Sequence, residues 1–321
     1  GNGQTFTQDS WSVFTEDEWH LTDALAFTFG GRYEDHSAFG GHFTPRAYLV
    51  WNTNDNWTLK GGVSTGYKVP TANDLHDGIN GFTAQGKSVS LGNPDLKPEK
   101  TTNYEIGFVY DDLTNFSLTT TAFFTEFKDL IISGAKTYEN CLWESRPTGS
   151  TPASDCMTVG NFSYQENFSF QGNADEAESY GVELSAKYDI SPNFNVKANY
   201  TWLESEITKG ENKGQTIENT PRHAVNLTST WYVNDQFTTW LEAEYKSKRT
   251  RFTDPTANTD TIREAEITGN ELKAYELFNL GASYKVNNQI TLSGRINNLF
   301  DKDFGDYQTF TNTKGETVNA F

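Results

Sequence analysis

Positive charge is scarce in this 321-residue chain: 25 Lys and Arg stand against 43 Asp and Glu, a formal net charge of −18. So few cations on so acidic a chain exclude nucleic acid as a partner. Apolar residues are scarce too, at 35% against roughly 45–50% in ordinary soluble domains, which argues against a plain soluble enzyme. Long apolar runs are missing: nothing approaches the roughly 18 to 20 consecutive apolar residues of a membrane-spanning helix. Residues 1–7 carry neither the basic start nor the apolar stretch of a signal peptide. Cysteine is limited to Cys141 and Cys156, in a segment rich in Ser, Thr, Gly and Pro. One disulfide closing a surface loop in an oxidising compartment is the simplest reading, and a metal site with a distant His, lacking any CxxC spacing, is the weaker one.

Aromatic residues, by contrast, are plentiful: 14% of the chain, with 15 Tyr, 23 Phe and 8 Trp. Disordered chains lack such rings, and here the rings fall inside segments that alternate with period two, the signature of strands with two unlike faces. Over residues 58–68, Leu59, Gly61, Val63, Thr65 and Tyr67 oppose Thr58, Lys60, Gly62, Ser64, Gly66 and Lys68. Residues 179–190 repeat the pattern, with Val182 and Leu184 opposed to Glu183 and Ser185; residues 289–297 do so with Leu292 and Ile296 opposed to Ser293 and Arg295. Short polar turns stand at Thr22-Asp23, Asn54-Asp55-Asn56, Thr114-Asn115, Ser191-Pro192-Asn193, Asn234-Asp235-Gln236 and Asn287-Asn288-Gln289, implying about twelve strands in hairpins. The connections between them are longer and uneven: residues 38–43, 71–100, 133–175, 208–220 and 252–271.

Short turns alternating with long loops, and oily faces opposed to small polar ones, predict an all-β fold: a transmembrane antiparallel β-barrel with short periplasmic turns and long extracellular loops. Trp19, Trp57, Phe116, Phe194, Trp231, Phe237 and Tyr284 stand beside the short turns, where a periplasmic girdle lies, and Tyr33, Tyr67, Phe127, Trp202 and Tyr245 are assigned to the outer girdle. The tail, residues 305–321, lacks alternation, so the terminal strand of the barrel is expected to be missing, and further strands or domains are expected to precede Gly1.

Three stretches carry more than alternation. They are Tyr67-Lys68-Val69-Pro70, then Asn93-Pro94-Asp95-Leu96-Lys97-Pro98-Glu99, then Ile296-Asn297-Asn298-Leu299-Phe300-Asp301-Lys302-Asp303-Phe304. In this order they resemble elements of the TonB-dependent outer-membrane receptors, and the resemblance covers essentially all of residues 1–321; Val69 departs from the family's usual Ala. Residues 44–51 and 59–64 look closest to the ferric enterobactin and other catecholate-siderophore receptors. The resemblance implies the C-terminal part of a 22-stranded barrel in the bacterial outer membrane, with the plug domain and the TonB-contacting segment absent from this sequence. It also implies a receptor, not an enzyme, that imports a ferric siderophore using TonB energy, with iron only as part of the cargo and no cofactor of its own.

A ferric tris-catecholate is large, aromatic and anionic, so its receptor needs rings and fixed cations at the outer mouth. Lys246, Lys248, Arg249 and Arg251 form the densest cationic cluster, with Lys68, Phe82 and Lys87 as further candidates. The same cations fit lipopolysaccharide phosphates. Tyr138 and Trp143 flank the expected disulfide and are read as packing against it. Pro94 and Pro98 fix φ and return a long loop to the wall, while the Asn and Asp of the third stretch end a strand. His76 lies between the first and second stretches, where haem receptors of this superfamily place a haem-binding His, but the second stretch reads Asn-Pro-Asp-Leu rather than their Asn-Pro-Asn-Leu. A passive porin shares the barrel and lacks the three stretches. Glu16 with Glu18, and Glu242 with Glu244, lie on one face at i, i+2 and read as lumen-lining acids, not as catalytic pairs.

Overall fold

Threonine- and ring-rich alternating segments fit a pleated, half-buried surface, and strand dominates the computed structural model. It describes residues 7–83, 88–210, 212–252, 265–304, 308–311 and 317–320. In chain order the strands are β1 (Ser10–Thr22), β2 (Leu25–His36), β3 (Gly40–Asn52), β4 (Trp57–Lys68), β5 (Ile79–Thr83), β6 (Ser88–Leu91), β7 (Glu99–Asp111), β8 (Phe116–Glu139) and β9 (Asn167–Ser191). Then follow β10 (Phe194–Lys209), β11 (His223–Tyr232), β12 (Phe237–Lys246), β13 (Arg249–Thr250), β14 (Glu271–Leu272), β15 (Tyr275–Lys285), β16 (Thr291–Ile296), β17 (Gln308–Thr311) and β18 (Thr317–Ala320). No helix among the described residues is long and apolar enough to cross a membrane.

The wall is one sheet with the path β1-β2-β3-β4-β7-β8-β9-β10-β11-β12-β15-β16, which is twelve strands in sequence order and antiparallel throughout. All six short turns expected from the sequence are present, and several are closed by their own side chains. Asn54 Oδ1 accepts from the Asn56 and Trp57 amides, and Asn234 Oδ1 accepts from those of Gln236 and Phe237. Asp112 accepts from the amides of Phe116, Thr114 and Asn115, which pulls its pKa down to about 2. Two loop expectations are corrected. Residues 38–43 are not a long loop: β2 and β3 meet across residues 37–39, where the Ala38 amide donates to His36 Nδ1 and Gly40 takes φ 70°. Residues 133–175 are not all loop either, because β8 and β9 extend past the wall as a paired hairpin to Glu139 and from Asn167. The tail forms a separate hairpin of β17 with β18.

Directly paired residues of antiparallel strands share a face, so the register separates two environments. One row runs Trp19, Phe27, Leu49, Gly61, Ile106, Ala122, Val182, Trp202 across β1 to β10. On the other face a row runs Glu16, Gly30, Arg46, Ser64, Asn103, Thr125, Ser179, Ser205. The first row is a lipid face and the second a wet lumen; Leu59, Val63 and Leu184 lie on the first side, as do Leu292 and Ile296 through Tyr284 and Leu280. Beside the short turns the rings Trp57, Tyr110, Phe116 and Tyr188 follow one another at 4.7, 6.2 and 6.1 Å. Phe127 is a correction: it pairs with Thr101 and Ala177 on the lumenal side, because it lies two positions from Thr125, and is no part of the outer girdle.

Lumenal rings lie down against the wall. Tyr48 rests over Gly62, directly opposite it, and Trp240 rests over Gly281; a Cβ at either glycine would overlap the ring. Two lumenal ion pairs cross between strands: Glu16 with Arg46 at 3.2 Å and Glu242 with Arg295 at 2.5 Å.

At the long-loop end a small apolar core forms. Val89, Leu91 and Phe168 are buried together, with Ile79, Met157, Val159, Phe162 and Phe170 around them. It joins the β5–β6 hairpin to the extended β8–β9 hairpin, and Leu91 pairs with Phe170. Gln165 receives the Val89 amide at 2.6 Å, while the buried Asn140 donates to the carbonyls of Phe162 and Gln165, both at 2.8 Å. Cys141 and Cys156 form the expected disulfide.

Candidate functional site

The cationic run falls where β12 leaves the wall. Lys246, an even residue of β12, points to the lumen with Glu242 and Glu244, and β15 brings Tyr275 opposite it. Lys246 Nζ and Arg249 Cζ each lie 5.8 Å from the centroid of the Tyr275 ring, and the Tyr275 hydroxyl donates to Glu244 Oε1 at 2.6 Å. Lys246 also pairs with Glu244 at 3.3 Å. Phe304, from the third sequence motif, meets the same ring edge-on at 5.2 Å. Two cations therefore converge on one ring, with a carboxylate orienting its hydroxyl.

The other two cations diverge. Lys248 is exposed and bonds Glu271 at 2.8 Å across the β13–β14 pair, and that carboxylate holds the lysine pKa above its ordinary value. The Arg251 amide donates to the Asn270 carbonyl, and Asn270 clamps Phe252 through both its side-chain atoms. The run is thus split, but not by period two: Lys246 and Arg249, of opposite parity, share the Tyr275 neighbourhood, and Lys248 does not, because β12 and its alternation end at Lys246.

The remaining candidates are spread over the same end. Lys68 pairs with the nearly buried Glu99 at 2.9 Å, and Glu99 also receives the Ile131 amide at 2.8 Å, so the first and second motifs are joined to β8. The second motif is stapled further: Asn93 donates to the Gln171 carbonyl, and Lys97 and Asn173 exchange two bonds of 2.9 Å. Phe82 is 64% exposed at the tip of the β5–β6 hairpin, 6.1 Å from the Phe162 ring. Lys87 lies outside the described residues. His76 sits in the loop after β4, with its ring against Gly78 and its carbonyl against Gly92. Trp143 lies under Arg146 at 5.8 Å and Tyr138 meets Phe170 edge-on. Tyr275 and Glu244 were not singled out as ligand-side residues by sequence; the signal available was the pairing of β12 with β15, which follows only once the intervening loop is excised.

The third motif ends β16 as its polar residues require. Asn298, at φ 52°, bonds the Lys302 amide at 2.7 Å and the Lys302 carbonyl at 2.9 Å, and Phe300 packs edge-on against Phe278.

Residues 1–299 match the family described as TonB dependent receptor-like, beta-barrel. The chain belongs to that family. Among curated relatives, an iron-regulated outer membrane virulence protein of Vibrio cholerae is 31% identical over 91% of this chain and 41% of its own length. The ferrienterobactin receptor of Escherichia coli is 26% identical over 91% of this chain and 36% of its own. Among solved structures, the siderophore receptor PirA from Acinetobacter baumannii superposes with a TM-score of 0.67 at 24% identity, over 92% of this chain and 42% of that one. The chain thus spans about two fifths of these relatives. It is a stretch of receptor barrel of the bacterial outer membrane, and the family is one of transport receptors rather than enzymes.

Proposed function

We propose that this chain is the C-terminal wall of a receptor that binds a ferric siderophore, most naturally a catecholate, at its extracellular mouth and imports it with energy from the TonB complex, a plug domain filling the lumen in cis. The convergence of Lys246 and Arg249 on the Tyr275 ring supports the reading, because it offers cation and aromatic surface together to an anionic, ring-bearing ligand. The likeness to an iron-regulated outer membrane virulence protein and to a ferrienterobactin receptor points the same way.

Each cation at a partly wet mouth is screened, so one substitution costs on the order of 1 kcal/mol and the four are changed together. The full-length receptor, titrated with ferric catecholate and followed by tryptophan quenching, is expected to lose most of its affinity when Lys246, Lys248, Arg249 and Arg251 all become Gln. A haem spectrum that vanishes in His76→Ala, with no catecholate response, replaces the proposal by haem uptake. Iron-limited growth that is equal with and without TonB replaces it by passive flow.

A further inference from the structure

We infer that the third sequence motif is a clip over the rim of β15, and that Phe304 within it is a positioning residue that holds the Tyr275 ring plane toward Lys246 and Arg249. This role rests on the ferric-siderophore reading of the mouth, and it places part of that site far from the cationic run in sequence.

β15 offers two faces to the segment that leaves β16. Phe278 pairs with Ala243 on the lipid side, in line with Leu280 and Leu241, whereas Tyr275 pairs with Lys246 on the lumenal side, in line with Asn279 and Glu242. The segment lays one ring on each. Phe300 meets Phe278 at 5.2 Å and 75°, and Phe304 meets Tyr275 at 5.2 Å and 80°.

Passing from one face to the other between Phe300 and Phe304 requires a tight reversal of the chain. Asn298 and Asp301 supply it at φ 52° and 51°, a left-handed conformation that Asn and Asp adopt more readily than other residues with a side chain. The reversal is pinned to β15 at its start: the Leu299 amide donates to the Phe278 carbonyl at 2.7 Å, and the Asn298 amide to Asn279 Oδ1 at 3.0 Å. Asn298 then closes on the amide and carbonyl of Lys302, which fixes where the chain delivers Phe304. Backbone of this kind persists only where its surroundings over-determine it, and here they do.

Tyr275 needs a support of this sort. It is the first residue of β15, and its hydroxyl is tied to Glu244. A bond at the hydroxyl fixes the end of the side chain and leaves the ring free to turn about its long axis. That turn matters, because an aromatic ring is negative on its faces and positive at its edge. A quarter turn would swing a positive edge toward Lys246 and Arg249 and cancel the attraction that gathers them. An edge-on partner sets the plane that a hydroxyl bond cannot, and Phe304 is that partner.

The test uses the full-length receptor with 3-fluorotyrosine placed at position 275, so that one fluorine resonance reports the ring, and with ferric enterobactin as the probe, followed by tryptophan quenching. Phe304→Ala should move the resonance in the absence of the probe and weaken binding about three- to tenfold. Phe304→Leu, which keeps apolar bulk without a ring edge, should do the same, and Phe304→Tyr should restore both readouts. Heat-modifiable gel mobility confirms that each variant barrel is folded. In a Tyr275→Leu background, Phe304→Ala should weaken binding no further, since it acts through the ring. An unmoved resonance overturns the inference, and so does a full additional loss in the Tyr275→Leu background, which would mean that Phe304 touches the ligand itself. Native binding by Phe304→Ala, where changing Lys246, Lys248, Arg249 and Arg251 to Gln weakens it, overturns the inference as well. A moved resonance with native binding by both variants supports the clip and overturns the ligand reading of the mouth.

Discussion

At the short-turn end of the sheet Asn234 closes its own turn with bonds two and three residues ahead, whereas at the long-loop end Lys97 and Asn173 bond each other across 76 residues. Val89 and Gln165 are likewise 76 apart, and Asn93 and Gln171 are 78 apart. The turns are closed chiefly by their own few residues, and neighbouring turns are joined by backbone bonds and, at Asn56, by a side-chain bond to the Asp111 carbonyl. The outer end needs two long loops to find each other, with a buried Phe168 and a buried Asn140 to fix the match. The difference teaches that one chain can end its strands by local chemistry on one side and by tertiary packing on the other, so each end should yield to its own kind of substitution.

The largest expected effect is at the outer end. Phe168→Ala removes a fully buried ring and should cost the loop core about 3–5 kcal/mol. Hydrogen exchange at the Val89 amide should quicken sharply while the Gln236 and Phe237 amides exchange as before. If the turns also loosen, the two ends are one cooperative unit and the contrast fails. A smaller effect is expected between the ends: Val63→Arg or Leu184→Arg on the lipid face should cost roughly 2–4 kcal/mol near the midplane. Ser64→Gln and Ser185→Gln, on the lumenal face, should assemble normally by heat-modifiable gel mobility; matching behaviour of the two pairs would refute the assignment of faces. The smallest effect concerns pH. The Phe116, Thr114 and Asn115 amides hold the Asp112 carboxyl at about 2 against an ordinary 3.8. A depressed carboxyl stabilises the turn fully above its unfolded pKa, and that contribution is lost as pH falls through about 2. Protection of the Phe116 amide should therefore persist at about pH 3 and fall below about pH 2, while the Asn234 turn, closed by an amide that does not titrate, stays unchanged.

This division also governed what could be read from sequence. Turn residues and period-two faces are local signals, so the hairpins and the lipid-facing Leu59, Val63 and Leu184 were legible. Phe127 was misplaced because a ring near a strand end looks the same whichever side it faces until register is counted from a neighbour such as Thr125. The loop core was not legible at all: nothing within residues 79–91 names Phe168 as a partner, since the match depends on where β8 and β9 stop being wall. For the same reason the cationic run was visible as composition, whereas its division around Tyr275 required the pairing of β12 with β15.

The rings that lie over Gly62 and Gly281 bear on clearance. A tyrosine or tryptophan standing upright on a lumenal strand narrows the bore by the length of its side chain; laid along the wall, it leaves only its thickness in the way. Each glycine thus sets the free radius at the position of its neighbour, and a Cβ at Gly281 would tip the Trp240 indole toward the axis. The width open to whatever fills or crosses this barrel is set there by two hydrogen atoms rather than by any bulky residue.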